Sequence, residues 1–196
     1  SRTPGTRETR GTARSTSAIA EAIVEVAVEL AALATTSGLG AVESVGLGAA
    51  GLVDETRQIV RFAPNLSWAE EPLAAQVSAG CGLPVVVEND ANAAAWGEFR
   101  FGAGRAEHSL VMVTVGTGIG GGIVLRNHLV RGAYGMAAEF GHLGRVPDGR
   151  LCGCGKRGCW EQYASGTALV REARERARDL PEAGRTLLAF GDGTPE

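Results

Sequence analysis

Several features that mark other classes of protein are missing from this sequence of 196 residues. It has no uncharged apolar run of about 18 residues, the length that a membrane-spanning helix needs. The first stretch, SRTPGTRETRGTAR, lacks the apolar segment of a signal peptide. These absences predict a cytoplasmic protein with no membrane partner.

An excess of positive charge is also missing. The chain carries 19 Lys and Arg residues against 22 Asp and Glu residues, for a formal net charge of −3. Domains that bind nucleic acid usually show a basic excess over the domain or along one face. We therefore predict no nucleic-acid partner, and we expect the basic residues of GCGKRGC to lie on a loop surface.

The pattern that is present alternates strands with helices, which predicts an α/β protein with a mostly buried sheet. The stretch AIAEAIVEVAVELAALA predicts a well-buried helix that begins at Ser15 or Thr16 and ends at Gly38 and Gly40. Further strands are predicted in VESVGLGAAGLVD, QIVRF and LPVVVEND, and further helices in EPLAAQVSAGCG and DANAAAWGEFRF. SLVMVTVGTGIGGGIVLRNHLVRG predicts three strands separated by a glycine loop and a polar turn. SGTALVREARERARDLPEAGRTLLAFGDG predicts one charged amphipathic helix and then a shorter one.

The glycine loop, GTGIGGG at 116–122, offers backbone N–H groups with no side chain in the way, as phosphate binding requires. It lacks the Lys-Ser/Thr pair of a P-loop, and it precedes a strand where a dinucleotide-binding loop would precede a helix. Its five glycines in seven residues favour phosphate contact. A hairpin turn without a ligand is the alternative.

Asn89 and Asp90 lie where a predicted strand ends and a helix begins. Ligands of open α/β sheets usually bind at this edge, and a carboxylate there can accept a proton from a substrate hydroxyl. An aspartate at this position also commonly caps the helix. The spacing alone favours the helix cap.

Cys152, Cys154 and Cys159 have the spacing CxCxxxxC, and His142 precedes them by ten residues. Three thiolates and one imidazole form a closed tetrahedral zinc set with no open position for a catalytic water. Unliganded thiols and a Cys152–Cys159 disulfide are the alternatives. Zinc would contribute about 10–16 kcal/mol of apparent binding free energy to a loop that has no core of its own. The fourth cysteine, Cys81, is expected to be a small, partly buried apolar residue.

Carboxylates stand on either side of the cysteine loop, at Glu139 and Glu161. If zinc fixes the loop, it also fixes these two side chains, and rigid carboxylates suit the recognition of a polyhydroxylated ligand. A pair of solvated surface charges is the alternative.

Six motifs occur along the chain in the order GAAGLVD, FAPNLSW, ENDANAAAWGE, TVGTGIGGGIV, AAEFGHLGRVPDG and CGCGKRGCWEQYASG. From about residue 17 onwards the sequence resembles the ROK family (repressors, open reading frames and sugar kinases), and within it the ATP-dependent glucokinases of actinobacteria. The resemblance implies the actin-like, ribonuclease-H-like fold, with two α/β domains at 1–105 and 106–196. It implies transfer of the γ-phosphoryl group of ATP to the 6-hydroxyl of glucose, with Mg²⁺, a structural Zn²⁺ and a homodimer or homotetramer.

The resemblance also implies the site residues. Asp90 matches the general base for the sugar 6-hydroxyl, and the sugar contacts match Asn65, Asn89, Asp90, Glu139, His142 and Glu161. The zinc ligands match His142, Cys152, Cys154 and Cys159, so that His142 would bind metal through one ring nitrogen and sugar through the other. The loop that binds the ATP phosphates matches Gly116, Thr117, Gly118, Gly120 and Gly121.

The sequence departs from the family at both ends. No first phosphate loop of the form DxGGTK occurs before Ala18, and the chain stops at GDGTPE. An internal fragment of a kinase is therefore expected. Two alternatives are a sugar-sensing repressor of the same family and a zinc-stabilised interaction or nucleic-acid module. The lack of a helix-turn-helix and the set of sugar-site residues favour the kinase.

Overall fold

The computed structural model describes residues 16–63 and 66–179. It divides into two compact units, residues 1–89 and 90–196. The predicted polar segment at the start and the shorter helix near the end lie outside the described residues. The predicted boundary at residue 105 concerns the two domains of the family, and it stays a prediction.

The described residues of the first unit form two helices and five strands. Strand β1 (Val45–Ala49) pairs in parallel with β5 (Val85–Asn89), so both strands end at the same edge, with Ala49 opposite Asn89. A second, antiparallel sheet has the order β2 (Leu52–Val53), β3 (Val60–Ala63) and β4 (Trp68–Glu71). Helix α1 spans Thr16–Thr36 and α2 spans Leu73–Cys81. The sequence did not predict β4, because WAEE is too short and too polar to show an alternating pattern.

The core of the first unit consists of apolar side chains. Helix α2 contributes Leu73, Ala74 and Val77 from one face, as the spacing of its apolar residues requires. Gly82 ends this helix in the left-handed region at φ +71°, and its N–H donates to the carbonyl of Ser78. The remaining buried members of the core are Ala20, Ala49, Val53, Val60, Ala63, Trp68, Val85 and Val87.

Helix α1 has the predicted bounds, but the prediction that it is well buried is wrong. Among the side chains described for residues 17–36 of this helix, only Ala20 is a buried core residue, and Leu30 and Leu33 are each 57% exposed. An apolar sequence around the whole helix predicts burial on all sides, yet one face alone contacts α2 and the core. None of the helices described in residues 16–63 and 66–179 combines the length and the apolar character that crossing a membrane takes.

The second unit is built on an antiparallel sheet with the order β6 (Leu110–Val115), β7 (Ile119–Leu125) and β8 (His128–Leu129). Helix α3 (Asp90–Phe101) precedes the sheet. A 3₁₀ turn (Phe140–His142), α4 (Glu161–Ala164) and α5 (Gly166–Asp179) follow it. Arg126 and Asn127 form the predicted turn between β7 and β8, both with positive φ, as tight hairpins of this type require.

Candidate functional site

Four of the predicted site residues lie in the second unit, and three of them affect the pKa of the fourth, Glu139. Asp90 is the first residue of α3, Glu161 is the first residue of α4, and Glu139 and His142 lie at the 3₁₀ turn. Burial raises the pKa of Glu139; His142 opposes this effect, and the charges of Asp90 and Glu161 add to it. Three elements that are distant in sequence thus bring two carboxyl groups and an imidazole close enough to Glu139 to affect its ionisation.

Asp90 does not make the hydrogen bond of a helix cap. Its Oδ1 accepts the N–H of Ala91, the next residue, at 2.9 Å. A capping side chain would instead accept an N–H two or three residues further on, from a position just before the helix. The hydrogen bonding of Asp90 therefore gives no support to the helix-cap interpretation.

His142 lies between the carboxyl groups and the cysteines. Its Nε2 is 3.9 Å from Oε2 of Glu139, and its Nδ1 is 3.5 Å from Sγ of Cys152. The two ring nitrogens therefore face different groups. This is the arrangement needed if one nitrogen binds a metal and the other faces a ligand.

Backbone contacts shape the cysteine loop. The N–H of Cys152 donates to the carbonyl of Lys156 at 2.8 Å, which closes a short turn around Cys154. Gly158 has φ +74°, and a Cβ on this residue would overlap the backbone of Val146. Only glycine satisfies both conditions at this position. Cys152 and Cys159 are buried free thiols, and Cys154 is exposed.

The ligand atoms of His142, Cys152, Cys154 and Cys159 all lie within 4.8 Å of one another. The Sγ atoms of Cys154 and Cys159 are 3.6 Å apart. A tetrahedral zinc ion with bonds of about 2.0–2.3 Å separates its ligand atoms by roughly 3.3–3.8 Å. The Cys154–Cys159 distance and the 3.5 Å between Nδ1 of His142 and Sγ of Cys152 both fall in this range. Three sulfur atoms and one imidazole nitrogen are also donors that zinc prefers.

The thiols differ in their acidity. Burial raises the pKa of Cys159 to about 12, and hydrogen bonds with the other two thiols of the set add to this effect. At Cys154 burial acts in the same direction, but the backbone N–H of Lys156 and the neighbouring thiols hold the pKa below its usual value. Cys159 therefore holds its proton more tightly than Cys154 does.

The predicted glycine loop is shorter in the structure than in the sequence interpretation. Gly116, Thr117 and Gly118 form the turn between β6 and β7, and the N–H of Gly116 donates to the carbonyl of Gly118 at 2.9 Å. Gly120 and Gly121 are in β7, where they pair with Thr114 and Val113 of β6. The turn therefore spans 116–118, and the rest of the glycine-rich stretch predicted as a loop at 116–122 belongs to β7.

Close packing explains the glycines inside β7. A Cβ on Gly122 would run into Cβ of Ala95 on α3. On the other face of the strand, a Cβ on Gly121 would meet the ring of Phe140 and lie 2.5 Å from the carbonyl oxygen of Met112. These residues let α3 and the 3₁₀ turn approach the backbone of the sheet.

Glu161 links the turn to the segment after the cysteine loop. Its Oε2 accepts the N–H of Ile119 at 2.8 Å, and a Cβ on Gly118 would collide with the same carboxylate. The alternative of a solvated surface charge is therefore wrong for Glu161, which is partly buried and directly bonded to the backbone after the turn.

Asn89 belongs to the first unit, at the end of β5. Its side-chain Nδ2 donates to the carbonyl of Gly51 at 3.1 Å. The strand extends one residue beyond the predicted end at Glu88. Asn65, the remaining predicted sugar contact, lies outside the described residues.

The sequence interpretation missed an ion pair that fastens the cysteine loop to α5. Both terminal nitrogens of Arg150 contact the carboxylate of Glu175, at 3.1 and 2.6 Å. The backbone N–H of Arg150 donates to the Tyr163 hydroxyl at 2.7 Å. No local pattern could have indicated these contacts, because each partner lies in a different segment of the chain.

The sequence of this chain is similar to those of known proteins. The profile of the ROK family matches residues 4–189. The sequence is 61% identical to a glucokinase of Streptomyces coelicolor over 153 residues, which are 78% of this chain and 48% of the relative. It is 40% identical to the xylose repressor of Bacillus subtilis over 136 residues, which are 69% of this chain and 35% of the relative. The chain thus spans about half the length of the glucokinase.

A solved structure of a ROK family glucokinase from Streptomyces griseus, in complex with glucose and AMPPNP, superposes with a TM-score of 0.74 at 58% identity. The match covers 89% of this chain and 55% of the other. A ROK hexokinase from Thermus thermophilus gives a TM-score of 0.69 at 38% identity, over 86% of this chain and 61% of the other. These similarities confirm the predicted α/β fold of the actin-like ATPase type.

Proposed function

Because the chain belongs to the ROK family, we propose that it is the part of a glucokinase that binds the sugar and positions the phosphates of ATP. The full-length protein would transfer the γ-phosphoryl group of ATP to the 6-hydroxyl of glucose. The relatives named glucokinase support this proposal, and so does the similar structure that holds glucose and AMPPNP.

The observation that carries the proposal is the arrangement around Glu139. Asp90, His142 and Glu161 all act on its pKa, which supports a grouping of the base with three of the proposed sugar contacts. Several carboxylates with one imidazole offer acceptors for many hydroxyl groups, as recognition of a hexose requires. Such a group is more than a zinc-stabilised interaction module would need.

In the proposed reaction, Asp90 acts as the general base. Its carboxylate takes the proton of the 6-hydroxyl while that oxygen forms a bond to the γ-phosphorus, and the bond from this phosphorus to the oxygen of ADP breaks. Asn65, Asn89, Glu139, His142 and Glu161 would hold the sugar through its other hydroxyl groups. Most of the rate enhancement in phosphoryl transfer comes from such positioning and from charge stabilisation.

We further propose that the phosphates of ATP lie at the turn Gly116–Gly118, with Gly120 and Gly121 behind it in β7. Backbone N–H groups without intervening side chains can approach phosphate oxygens closely. Mg²⁺ is the ion that kinases commonly use to balance the charge of these phosphates, and we include it in the proposal.

His142, Cys152, Cys154 and Cys159 would hold a structural Zn²⁺. The ion would supply the positive charge that keeps the buried thiolates deprotonated, including that of Cys159. It would fix the side chain of His142 through Nδ1, the nitrogen that faces Cys152. The four ligands leave no position for substrate, so the role of the ion is to hold the loop.

We keep as proposals a homodimer or homotetramer, a cytoplasmic location and the absence of a nucleic-acid partner. A sugar-sensing repressor remains the second candidate function, because the xylose repressor of Bacillus subtilis is 40% identical over 69% of this chain. Such a protein could use the same sugar contacts without phosphoryl transfer.

The test is an assay of glucose 6-phosphate formation by the full-length protein with ATP, Mg²⁺ and glucose. Asp90→Asn should keep glucose binding and lower kcat by a factor of about 10² or more, because the base is lost while the geometry is kept. Asp148→Asn is the matched control: Asp148 is exposed and has φ +51°, a conformation that asparagine accepts. Near-normal turnover by Asp90→Asn would remove the assignment of the base. Glucose binding without turnover in the unmodified protein would favour the repressor.

A further inference from the structure

The first turn of α5 holds the backbone of the turn Gly116–Gly118. The N–H of Gly166 donates to the carbonyl of Gly116 at 2.7 Å. The hydroxyl of Thr167 donates to the carbonyl of Thr117 at 2.8 Å, and its backbone N–H faces the same oxygen at 3.4 Å. Two consecutive carbonyl groups of the turn are therefore fixed by two consecutive residues of the helix.

These contacts follow from the chemistry of a helix start. The first N–H groups of an α-helix have no partner within the helix. Ser165 satisfies one of them, since its Oγ accepts the N–H of Ala168 at 3.1 Å in the usual manner of an N-cap. The N–H groups of Gly166 and Thr167 remain, and the turn provides their acceptors.

Fixing a carbonyl also fixes the next N–H, because the peptide unit is planar and its C=O and N–H point in opposite directions. The carbonyl of Gly116 thus sets the direction of the Thr117 N–H, and the carbonyl of Thr117 sets that of the Gly118 N–H. In the described part of the chain neither N–H has a hydrogen-bond acceptor. Glu161 holds the other side of the turn through the N–H of Ile119.

We propose that Thr167 is a positioning residue for the nucleotide: its hydroxyl holds the carbonyl of Thr117, and this directs the N–H groups of the turn at a phosphate of ATP. The inference rests on the proposed function and extends it to a residue outside the sugar and zinc sets. Thr167 is exposed, so removing its hydroxyl leaves no buried cavity. Loss of this hydroxyl should weaken the binding of ATP and leave the binding of glucose unchanged.

The experiment compares Thr167→Val and Thr167→Ser in the full-length protein. Valine keeps the shape and removes the donor, so KM for ATP should rise about three- to tenfold, while KM for glucose and Tm stay near normal. Serine keeps the donor and should restore KM for ATP. Thr35→Val is the matched control, because the Thr35 hydroxyl also donates to a backbone carbonyl, that of Ala31 in α1, and it should leave both KM values unchanged.

A second variant, Gly166→Ala, tests the same contact from the neighbouring residue. A Cβ there would lie 2.8 Å from the carbonyl oxygen of Gly116, so it should displace the turn and raise KM for ATP as well. An unchanged KM for ATP in Thr167→Val, or equal losses for ATP and glucose with a lower Tm, would overturn the inference.

Direct titration of ATP with Mg²⁺ separates this inference from the proposed function. If the unmodified protein binds ATP but does not phosphorylate glucose, weaker ATP binding by Thr167→Val would support the positioning role while the kinase assignment fails. If the unmodified protein does not bind ATP, both proposals are overturned.

Discussion

The core of the first unit and the segment 141–163, which contains the cysteine loop, are held together by different physics. Within the described part of the first unit, eleven buried apolar residues form the core, among them Leu73, Val77 and Val87, each at most 2% exposed. The cysteine loop buries little besides Cys152 and Cys159, and its other large apolar residues include Leu151, at 63% exposed. Its order comes from backbone hydrogen bonds, positive-φ glycines, an ion pair and a set of metal ligands.

This difference indicates how the chain separates stability from function. Apolar burial is non-directional, and it holds a frame in which many substitutions can be tolerated. Recognition of hydroxyl and phosphate groups needs polar atoms at defined positions, which apolar packing does not provide. The segment that carries Glu139, His142 and Glu161 is therefore fixed by directional contacts.

Leu73→Ala should give the largest loss of stability. The side chain is 2% exposed in the core of the first unit, and its truncation should lower the free energy of unfolding by about 2–5 kcal/mol. Denaturant unfolding measures this loss. Leu39→Ala, at a site 82% exposed, is the control and should cost less than about 0.5 kcal/mol. A small loss for Leu73→Ala would mean that the frame does not depend on apolar burial.

Cys154→Ser should disturb the cysteine loop and leave the core of the first unit intact. Because Cys154 is exposed, the change creates no cavity, but it removes one of four ligands. Zinc content should fall, and glucose affinity should fall with it by about 10- to 100-fold, since Glu139 and Glu161 lose their support. Metal analysis and calorimetry measure the two effects. Cys81→Ser is the control, and a metal-free Cys154→Ser protein with full glucose affinity would refute the role of the zinc.

Gly122→Ala in the second unit, set beside a glycine of the first unit, tests the close packing of β7. A Cβ on Gly122 would run into Ala95, so overpacking should cost about 1–3 kcal/mol in thermal or denaturant unfolding. Gly46→Ala in β1 is the matched control, because a Cβ there meets nothing within 4 Å. Equal stabilities of the two variants would show that the glycines of β7 serve something other than the approach of α3.

Asp54→Asn tests a polar contact inside the apolar frame. Burial acts to raise the pKa of Asp54, but hydrogen bonds from Thr56, Gln58 and Ile59 hold it below its usual value. The carboxylate therefore stabilises the fold above the unfolded pKa of about 3.9, and this stabilisation is lost as pH falls through the lower folded pKa.

At pH 7 the Asp54→Asn variant should be less stable by about 1–2 kcal/mol, because the amide cannot accept all of these bonds. The difference should begin to shrink below about pH 4, where the carboxylate of the unfolded chain takes up a proton, and it should be lost as pH falls through the lower folded pKa. Unfolding curves between pH 3 and 7 measure it, with Glu55→Gln, an exposed neighbour, as the control. A difference that does not change with pH would contradict the assignment.

The sequence predicted most elements of the fold, because their signals are local. Gly82 marks the end of α2, and Arg126 and Asn127 mark the turn after β7. The burial of α1 and the existence of β4 were not predictable in this way. The first depends on how many faces of a helix find neighbours, and the second on pairing with β3.

The sequence by itself determined the chemistry that is available: three thiols and an imidazole at metal-binding spacing, a glycine-rich turn, and carboxylates on both sides of the cysteine loop. Spacing along a chain can do this because ligand type and turn formation are properties of neighbouring residues. Only the tertiary structure decided that Glu161 bonds to Ile119 and that Thr167 holds Thr117. These contacts join residues more than 40 positions apart, and no local pattern records which distant backbone group a side chain will meet.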